Sequence, residues 1–393
     1  MANVSSSNGL EKYPKLRFKG FSEPWNEIVI GDLFKVTRGY VLPSSAVKEE
    51  PQEGYVFPVF SSQTKNEGLM GYYNEYLYED AITWTTDGAN AGTVHYRDGK
   101  FYCTNVCGVL LNEEGNANRC VAEILGSVSK KYVSYVGNPK LMNNVMSEIR
   151  IHIPSVIEQK RIDEFLTVID LRIMKQRELI EYLKKYKRGV IKEFLTPQTC
   201  PIKNSVWSKA TIGELGTFVK GAPLSKADIS DKGTPFILYG ELYTTYGEVI
   251  NKVVRRTQKS VDNVYLSCIG DVLVPTSGET PEEISTASCV MVSDVILAGD
   301  LNIFRTAKVD GRIMSYILNH IANGNIARIA QGKSVVHIQA SEISKITISF
   351  PDEITQQKLI RIFEGISDKI VLEEAKLNQM VTLKKSLIQK LFI

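Results

Sequence analysis

IEQKRIDEFLTVIDLRIMKQRELIEYLKKYKRGVIKEFL, residues Ile157–Leu195, is matched without a gap by ITQQKLIRIFEGISDKIVLEEAKLNQMVTLKKSLIQKLF, residues Ile354–Phe392, at an offset of 197 residues. In the first copy Ile162, Leu166, Ile169, Ile173, Ile180, Leu183, Val190 and Phe194 follow alternating steps of four and three, with two steps missing. Leu359, Phe363, Ile366, Ile370, Leu377, Met380, Leu387 and Leu391 do the same in the second. The missing steps are polar in both copies: Gln176 and Lys187, then Glu373 and Lys384. This is the a/d seam of a heptad helix, about 58 Å long at 1.5 Å per residue. A seam of that length needs a partner helix, and the other copy is the nearest one. Placing Lys187 opposite Glu373 and Gln176 opposite Lys384 would match the polar breaks across an antiparallel pair.

A second echo lies upstream. WNEIVIGDLFKVTRG, Trp25–Gly39, returns as WSKATIGELGTFVKG, Trp207–Gly221, at an offset of 182. The whole chain thus reads as a tandem duplication of one unit, a globular part followed by a long helix. The period is far beyond that of solenoid repeats. The expected organisation is a tail and approach segment (1–24), a first β-rich domain (25–153), a long helix (154–195), a linker (196–206), a second β-rich domain (207–350) and a second long helix (351–393). The fold class is α+β, with the two helices pairing as an antiparallel coiled coil of pseudo-two-fold symmetry.

Within the first domain, YVFPVF, AITWTT, TVHYR, KFYCT and CGVLL are short β-branched and aromatic runs that predict strands. Asp87-Gly88 and Asp98-Gly99 suit hairpin turns. Cys120–Val136 predicts a helix, and Asn143–Ile153 a strand that leads through Pro154 into the long helix. In the second domain, strands are expected near Phe236–Tyr239, Tyr265–Cys268, Asp271–Val274, Val290–Val292, Asn302–Arg305 and Ile343–Phe350. A helix is expected over Arg312–Ala322.

At 393 residues the chain is too long for one ordinary core. Its composition, 43% hydrophobic and 23% charged with a net charge of +3, is that of a globular protein. The near-balanced charge neither demands nor excludes a nucleic-acid partner. Six scattered cysteines without a C-x-x-C pair, and only four histidines, give no zinc spacing and point to reduced thiols in a cytoplasmic setting. No apolar run of membrane-spanning length and no signal-peptide core is present. A search for catalytic motifs finds no phosphate-binding G-x-x-x-x-G-K-[ST] loop and no glycine-rich nucleotide loop. Asn138-Pro139-Lys140-Leu141 lacks the second proline and the aromatic of the Asn-Pro-Pro-aromatic motif. Glu282-Glu283 reads as a solvated loop pair. No catalytic residue and no metal ligand set is expected.

What remains is recognition chemistry. Arg38, Lys65, Lys100, Lys220 and Lys333 stand in or near predicted loops with Gln63, Asn66, Asn90, Tyr239, Tyr243, Thr276, Ser277 and Gln331. Cations for phosphates beside amides and hydroxyls for base edges is the mixture DNA binding uses. Arg97 belongs to the same group of basic residues. The run Lys184–Arg188 offers a basic helix face for a partner or a phosphate.

PKLRFKGFSEPW followed by IGDLFKVTRG, and the two helix starts IPSVIEQKRIDEFLTVID and FPDEITQQKLIRIFEGISDKI, resemble the specificity subunits of type I restriction–modification enzymes. ITWTTDGANAGTVHYRDGKFYCTNVCGVL and LYGELYTTYGEVI are similar to segments of that family's target-recognition domains. The resemblance covers nearly all of the chain. It implies that each globular part reads one half of a bipartite double-stranded DNA site, while the paired helices set the distance between halves. It also implies a subunit without catalytic activity that recruits two methylation subunits, and then motor–nuclease subunits. S-adenosylmethionine, ATP and Mg2+ would belong to those partners. The family carries no fixed motif of base contacts, so the loop residues above rest on their chemistry alone. The alternatives are a coiled-coil scaffold or a DNA-binding regulator outside restriction–modification.

Overall fold

The computed structural model describes residues 13–62, 65–330 and 336–392, with Lys65 described by its backbone alone. The chain divides into two compact units, one formed by Met1–Arg177 with Ala375–Ile393, the other by Glu178–Glu374. Each unit therefore takes one globular part and a stretch of both long helices, Val156–Phe194 and Glu353–Phe392. No described helix is long and apolar enough to cross a membrane.

In the first unit six strands hydrogen-bond in the order Lys35–Arg38, Cys107–Leu111, Tyr78–Thr85, Val94–Cys103, Phe57–Phe60, Leu69–Tyr73. Alternation along Tyr78–Thr85 sends Ile82 and Trp84 to one face and Ala81, Thr83 and Thr85 to the other. The first face packs on the helix Arg119–Ser129, which buries Val121, Ile124, Leu125 and Val128. Asn118 caps that helix by accepting from Val121 N at 3.0 Å. The same core takes in Ile162 and Leu166 of the first long helix and Leu391 and Phe392 of the second.

Three expectations change here. Asp98-Gly99 is not a hairpin turn but lies inside one continuous strand, Val94–Cys103. Gly99 has φ +67°, Asp80 opposite has φ +46°, and Gly99 N donates to Asp80 Oδ1 at 2.7 Å. The pairing register shifts between Glu79 and Ala81, so the glycine serves a β-bulge. Asn143–Ile153 splits into a short helix, Asn143–Glu148, and a strand, Arg150–Ile153, which pairs with Asn26–Val29. The helix expected to reach Val136 ends at Ser129, followed by a 3-10 turn at Lys130–Tyr132.

The second unit has a five-stranded sheet in the order Gly216–Lys220, Leu301–Thr306, Asp271–Pro275, Ser288–Val290, Val249–Ile250. A three-stranded sheet, Arg255–Thr257, Thr234–Leu238, Ile296–Ala298, stands beside it. Its main core joins Phe304, Ile313 and Tyr316 to Val190 and Ile191 of the first long helix, to Leu195 just after it, and to Leu359 and Phe363 of the second. Tyr265–Cys268 is not a strand; a 3-10 turn at Asn263–Tyr265 leaves only an isolated bridge from Leu266 to Ile296. Ile343 ends a short helix, and the strand before Pro351 is Thr347–Pro351, paired with Trp207–Thr211.

The upstream echo has a physical reason. Ile30–Leu33 and Ile212–Leu215 form the same one-turn helix. A Cβ on Gly31 would meet Ser147 O at 3.0 Å, and one on Gly213 would meet Ser344 Cβ at 3.1 Å. Gly39 and Gly221 allow a closer approach still, to Cys103 O and Gly299 O at 2.1 and 2.7 Å from the would-be Cβ.

The seam residues Ile162, Leu166, Ile173, Leu359, Phe363 and Ile370 are buried, while Ile169 and Ile366 are half-buried. In the first unit Lys384 Nζ lies 2.7 Å from Asp170 Oδ1. In the second, Lys184 Nζ lies 2.9 Å from Glu374 Oε1, and the Phe194 and Phe363 rings are 6.4 Å apart. These pairs correct the expected register. Lys187 does not answer Glu373 but reaches Glu248 of the second globular part at 2.8 Å. Lys384 answers Asp170 rather than Gln176. Glu373, 3% exposed, takes Lys369 one turn earlier at 2.7 Å. Lysine's long stem lets each ammonium reach a carboxylate beyond the seam position of its own Cα.

Candidate nucleic-acid interface

Four loops of the first unit are tied together by hydrogen bonds. Tyr40 N donates to Cys103 O at 3.1 Å, Thr104 N to Phe60 O at 2.9 Å and Thr86 N to Val106 O at 2.9 Å. Asn90, in the connection between the strands Tyr78–Thr85 and Val94–Cys103, gives its amide to Ser62 O at 3.0 Å. Arg38 stands exposed at the end of its strand, and its carbonyl accepts from the Tyr78 hydroxyl at 2.7 Å. Asn66 is exposed in a left-handed backbone, φ +49°, beside Glu67 at φ +54°. Two non-glycine residues in that region store strain, which concentrates where a loop must present side chains outward. The structure thus brings Arg38, Asn66 and Asn90 onto one set of linked loops. Lys100 stands outside that set, exposed, with its ammonium 4.5 Å from the Tyr76 ring centroid. Gln63 lies outside the described residues, and so does the side chain of Lys65.

In the second unit Tyr239 and Tyr243 face a cleft of about 970 Å3 that also takes Lys226, Arg255, Glu279 and Asp300. Arg255 is partly neutralised by Glu241 at 2.9 Å. Glu283, read from sequence as solvated, lines the same cleft from the short helix Pro281–Ile284. Lys220 is engaged from within, its Nζ 3.1 Å from the fully buried Asn302 Oδ1. Thr276 is half-buried, its amide donating to Asp300 O at 2.8 Å. Ser277 is 4% exposed and donates its hydroxyl to Asp300 Oδ2 at 2.7 Å, so it is a packing residue and not a free donor. Gln331 and Lys333 lie outside the described residues.

Arg97 is also not a loop cation. It sits inside its strand, 6% exposed. Among the described residues no group of His, Cys, Asp and Glu is arranged to hold a metal.

The largest feature that polarity of loops did not indicate lies where each globular part meets its helix. Gln159 is fully buried; its Nε2 donates to Pro154 O at 2.8 Å and to Asn116 Oδ1 at 3.0 Å, while its Oε1 accepts from Asn118 at 2.7 Å. Gln356 does the same work in the second copy, donating to Pro351 O at 2.8 Å and accepting from Asp310 N at 2.8 Å. Each glutamine ties the first turn of its helix both to the proline before it and to a loop of the globular part. The signal was present as the twice-written spacing Pro-x4-Gln.

Further polar joints hold the domains to the long helices. Arg17 meets Glu158 through two bonds of 2.8 Å. Arg312 bridges Asp310 at 2.9 Å and Glu364 at 3.0 Å. Glu248 accepts from Lys187 at 2.8 Å and meets His320 Nε2 at 2.9 Å. Burial alone would push the Glu248 carboxyl up, but the hydrogen bonds from His320 and Lys187 and the charge of Lys187 outweigh it and bring it to about 2.

Two sheet-based domains, each fastened at a hydrogen-bonded joint to a long helix, make a duplicated protein. The family model for the type I restriction modification DNA specificity domain matches residues 22–183 and again 204–382. The chain belongs to that family, with two copies of its domain. A putative type I specificity subunit of Mycoplasma pneumoniae is 35% identical over 151 residues, 37% of this chain and 48% of that relative, so the match spans about half its length. The MjaVIII type I restriction enzyme specificity subunit of Methanocaldococcus jannaschii is 22% identical but aligned over 97% of this chain and 95% of its own. The solved S subunit of a type I restriction-modification system from M. genitalium shares the fold at a TM-score of 0.59 and 16% identity, covering 97% of this chain and 99% of its own. A second type I system chain gives a TM-score of 0.58 at 12% identity, covering 94% and 97%.

Proposed function

We propose that this chain is the sequence-recognition subunit of a type I restriction–modification complex. Each domain reads one half of a bipartite duplex site through its linked loops. The two long helices pair antiparallel as a coiled coil along the seam, giving the domains pseudo-two-fold poses and fixing the distance between half-sites. The chain contributes recognition and no chemistry of its own. Two methylation subunits, using S-adenosylmethionine, and motor–nuclease subunits, using ATP and Mg2+, supply the reactions.

The observation that carries this reading is the duplicated joint. The same glutamine, at the same spacing from the same proline, fastens each domain to its helix. Rigid coupling of a reader to a spacer is needed when two half-sites must be met at once. For partner docking, an apolar groove of about 520 Å3 lies between Ile169 and Ile173 on one helix and Met380, Leu383 and Leu387 on the other. In the basic run, Lys184 and Lys187 are taken by Glu374 and Glu248, which leaves Lys185 and Arg188 exposed beside them.

The test is a map of adenine methylation in the source cell with this gene intact and deleted. Loss of one bipartite methylated motif on deletion is the expected result. A methylome that keeps every motif while the partner methylation subunits are expressed would refute the reading. A scaffold or regulator outside restriction–modification would then be favoured.

A further inference from the structure

Arg97 is a buried cation whose fork reaches a strained loop. It projects from the strand Val94–Cys103 and is 6% exposed, with its guanidinium 3.7 Å from the Phe60 ring centroid. Nε donates to Thr83 Oγ1 at 3.0 Å, which fixes the planar fork on the sheet. Nη2 donates to Glu67 O at 2.8 Å. Burial pulls the guanidinium down to about 10, with the Glu67 carboxylate acting the other way. It is therefore charged at neutral pH, and its bond to the Glu67 carbonyl is charge-assisted.

That bond falls where the backbone needs it. Asn66 and Glu67 follow one another at φ +49° and +54°. Asparagine tolerates this left-handed conformation, whereas a glutamate there is strained and has to be held. The base of the loop is tied separately: Ser61 N donates to Gly68 O at 2.8 Å, and Asn90 gives its amide to Ser62 O at 3.0 Å. Asn66, one residue before the clamped carbonyl, is exposed, and its amide makes no hydrogen bond among the described residues. An unspent carboxamide, donor and acceptor side by side, suits bidentate pairing with a base edge.

Resting on the type I reading above, we propose that Arg97 is a positioning residue that holds Asn66 and Glu67 in the pose from which the Asn66 amide reads one base of the first domain's half-site. Arg97 acts through the loop backbone and touches no base itself.

Methylomes are compared in cells that express the full chain with its methylation subunits, as wild type, Asn66→Gly, Arg97→Lys and the double variant. Glycine keeps the left-handed backbone and removes the amide. Lysine keeps the charge but lacks the planar fork, so it does not hold Thr83 and Glu67 together. Asn66→Gly is expected to lower the preference for the correct base about tenfold at one position of one half-site. Arg97→Lys is expected to lower it about threefold or more at that same position, and to add nothing in the double variant. An arginine with a merely structural role would instead lower methylation of an unrelaxed motif. That result overturns the proposal, as does relaxation at a different position or an additive loss in the double variant. Thr83→Val, similar in shape, loosens the same fork and takes the place of Arg97→Lys if that variant fails to fold. A wild-type motif that Asn66→Gly leaves intact overturns this proposal alone. Absence of any bipartite motif in wild type overturns the type I reading, and this inference with it.

Discussion

The two glutamines written side by side at the second helix start, Gln356 and Gln357, differ sharply in what their loss should cost. Gln356 is 4% exposed and holds Pro351 O and Asp310 N at 2.8 Å each. Gln357 is exposed, with one contact to Asp310 Oδ2 at 3.4 Å. Gln356→Ala removes two well-formed bonds and leaves an acceptor and a donor without partners. Each bond contributes about 1 kcal/mol net, and up to about 2 kcal/mol where its loss leaves a buried partner unsatisfied. The expected loss is about 2–4 kcal/mol, against less than about 0.5 kcal/mol for Gln357→Ala. Urea unfolding of the full chain, followed by circular dichroism, reads this directly. With a slope of about 3 kcal/mol/M, the Gln356→Ala midpoint falls by about 1 M for its transition and that of Gln357→Ala does not move measurably. Equal midpoints for the two variants would refute the claim that this side chain is the joint. Gln159→Ala, which breaks three bonds, should act on the first unit in the same way.

Glu248 links stability to pH. Its folded value lies below the ordinary carboxylate value of 4.5, so its contribution is present above that value and is lost as pH falls toward about 2. Glu248→Gln should cost on the order of 2 kcal/mol at pH 7, with the difference from wild type shrinking between pH 4.5 and 2 in acid titrations of stability; a gap independent of pH would count against the pairing. Ser277→Ala should lower stability by about 1 kcal/mol through its lost bond to Asp300 while leaving the methylated motif unchanged. Tyr243→Ala, at the cleft, should weaken specific duplex binding and relax only one half-site in the methylome. Removing seven residues from the middle of both helices shortens the seam by about 10.5 Å and should shorten the spacer between intact half-sites by about three base pairs, at 3.4 Å each.

The helices and the duplication were legible because apolar periodicity is written locally and twice. Most strands were legible from their β-branched and aromatic runs, though Tyr265–Cys268 was not one, and bulge against turn was not legible. Asp98-Gly99 has the composition of a hairpin turn, and only its bond to Asp80 across the sheet shows that the strand continues. The recognition residues were the least legible. Ser277 and Arg97 have the chemistry of DNA contacts, yet Asp300 and Thr83 claim them inside the fold. Nothing in a polar residue's identity tells whether its partner is a neighbouring side chain or a base. The glutamine joint was readable as a repeated spacing, but its meaning needed the prolyl carbonyl five residues upstream to come within reach.

A heptad seam is tolerant of sliding. Moving one helix past the other by seven residues returns apolar side chains to apolar holes, so burial alone distinguishes the two registers weakly. Under the proposed reading such a slip would shift the half-site spacing by about three base pairs and destroy recognition. Specificity must therefore come from groups that do not repeat every seven residues. Lys184 with Glu374, and Asp170 with Lys384, meet this need for one direction of slip only, since in the other direction Arg177 and Asp163, seven residues earlier, would take over Glu374 and Lys384. These half-exposed pairs contribute little to stability, about 1 kcal/mol or less each. Their value is that the register slipped in the opposite direction lacks them altogether. A double-mutant cycle on Asp170 and Lys384 should thus give a small coupling energy in unfolding, and yet the doubly substituted chain should methylate sites of more than one spacer length. A single unchanged spacer in that chain would mean that register is held by the domain joints at Gln159 and Gln356 and not by the seam.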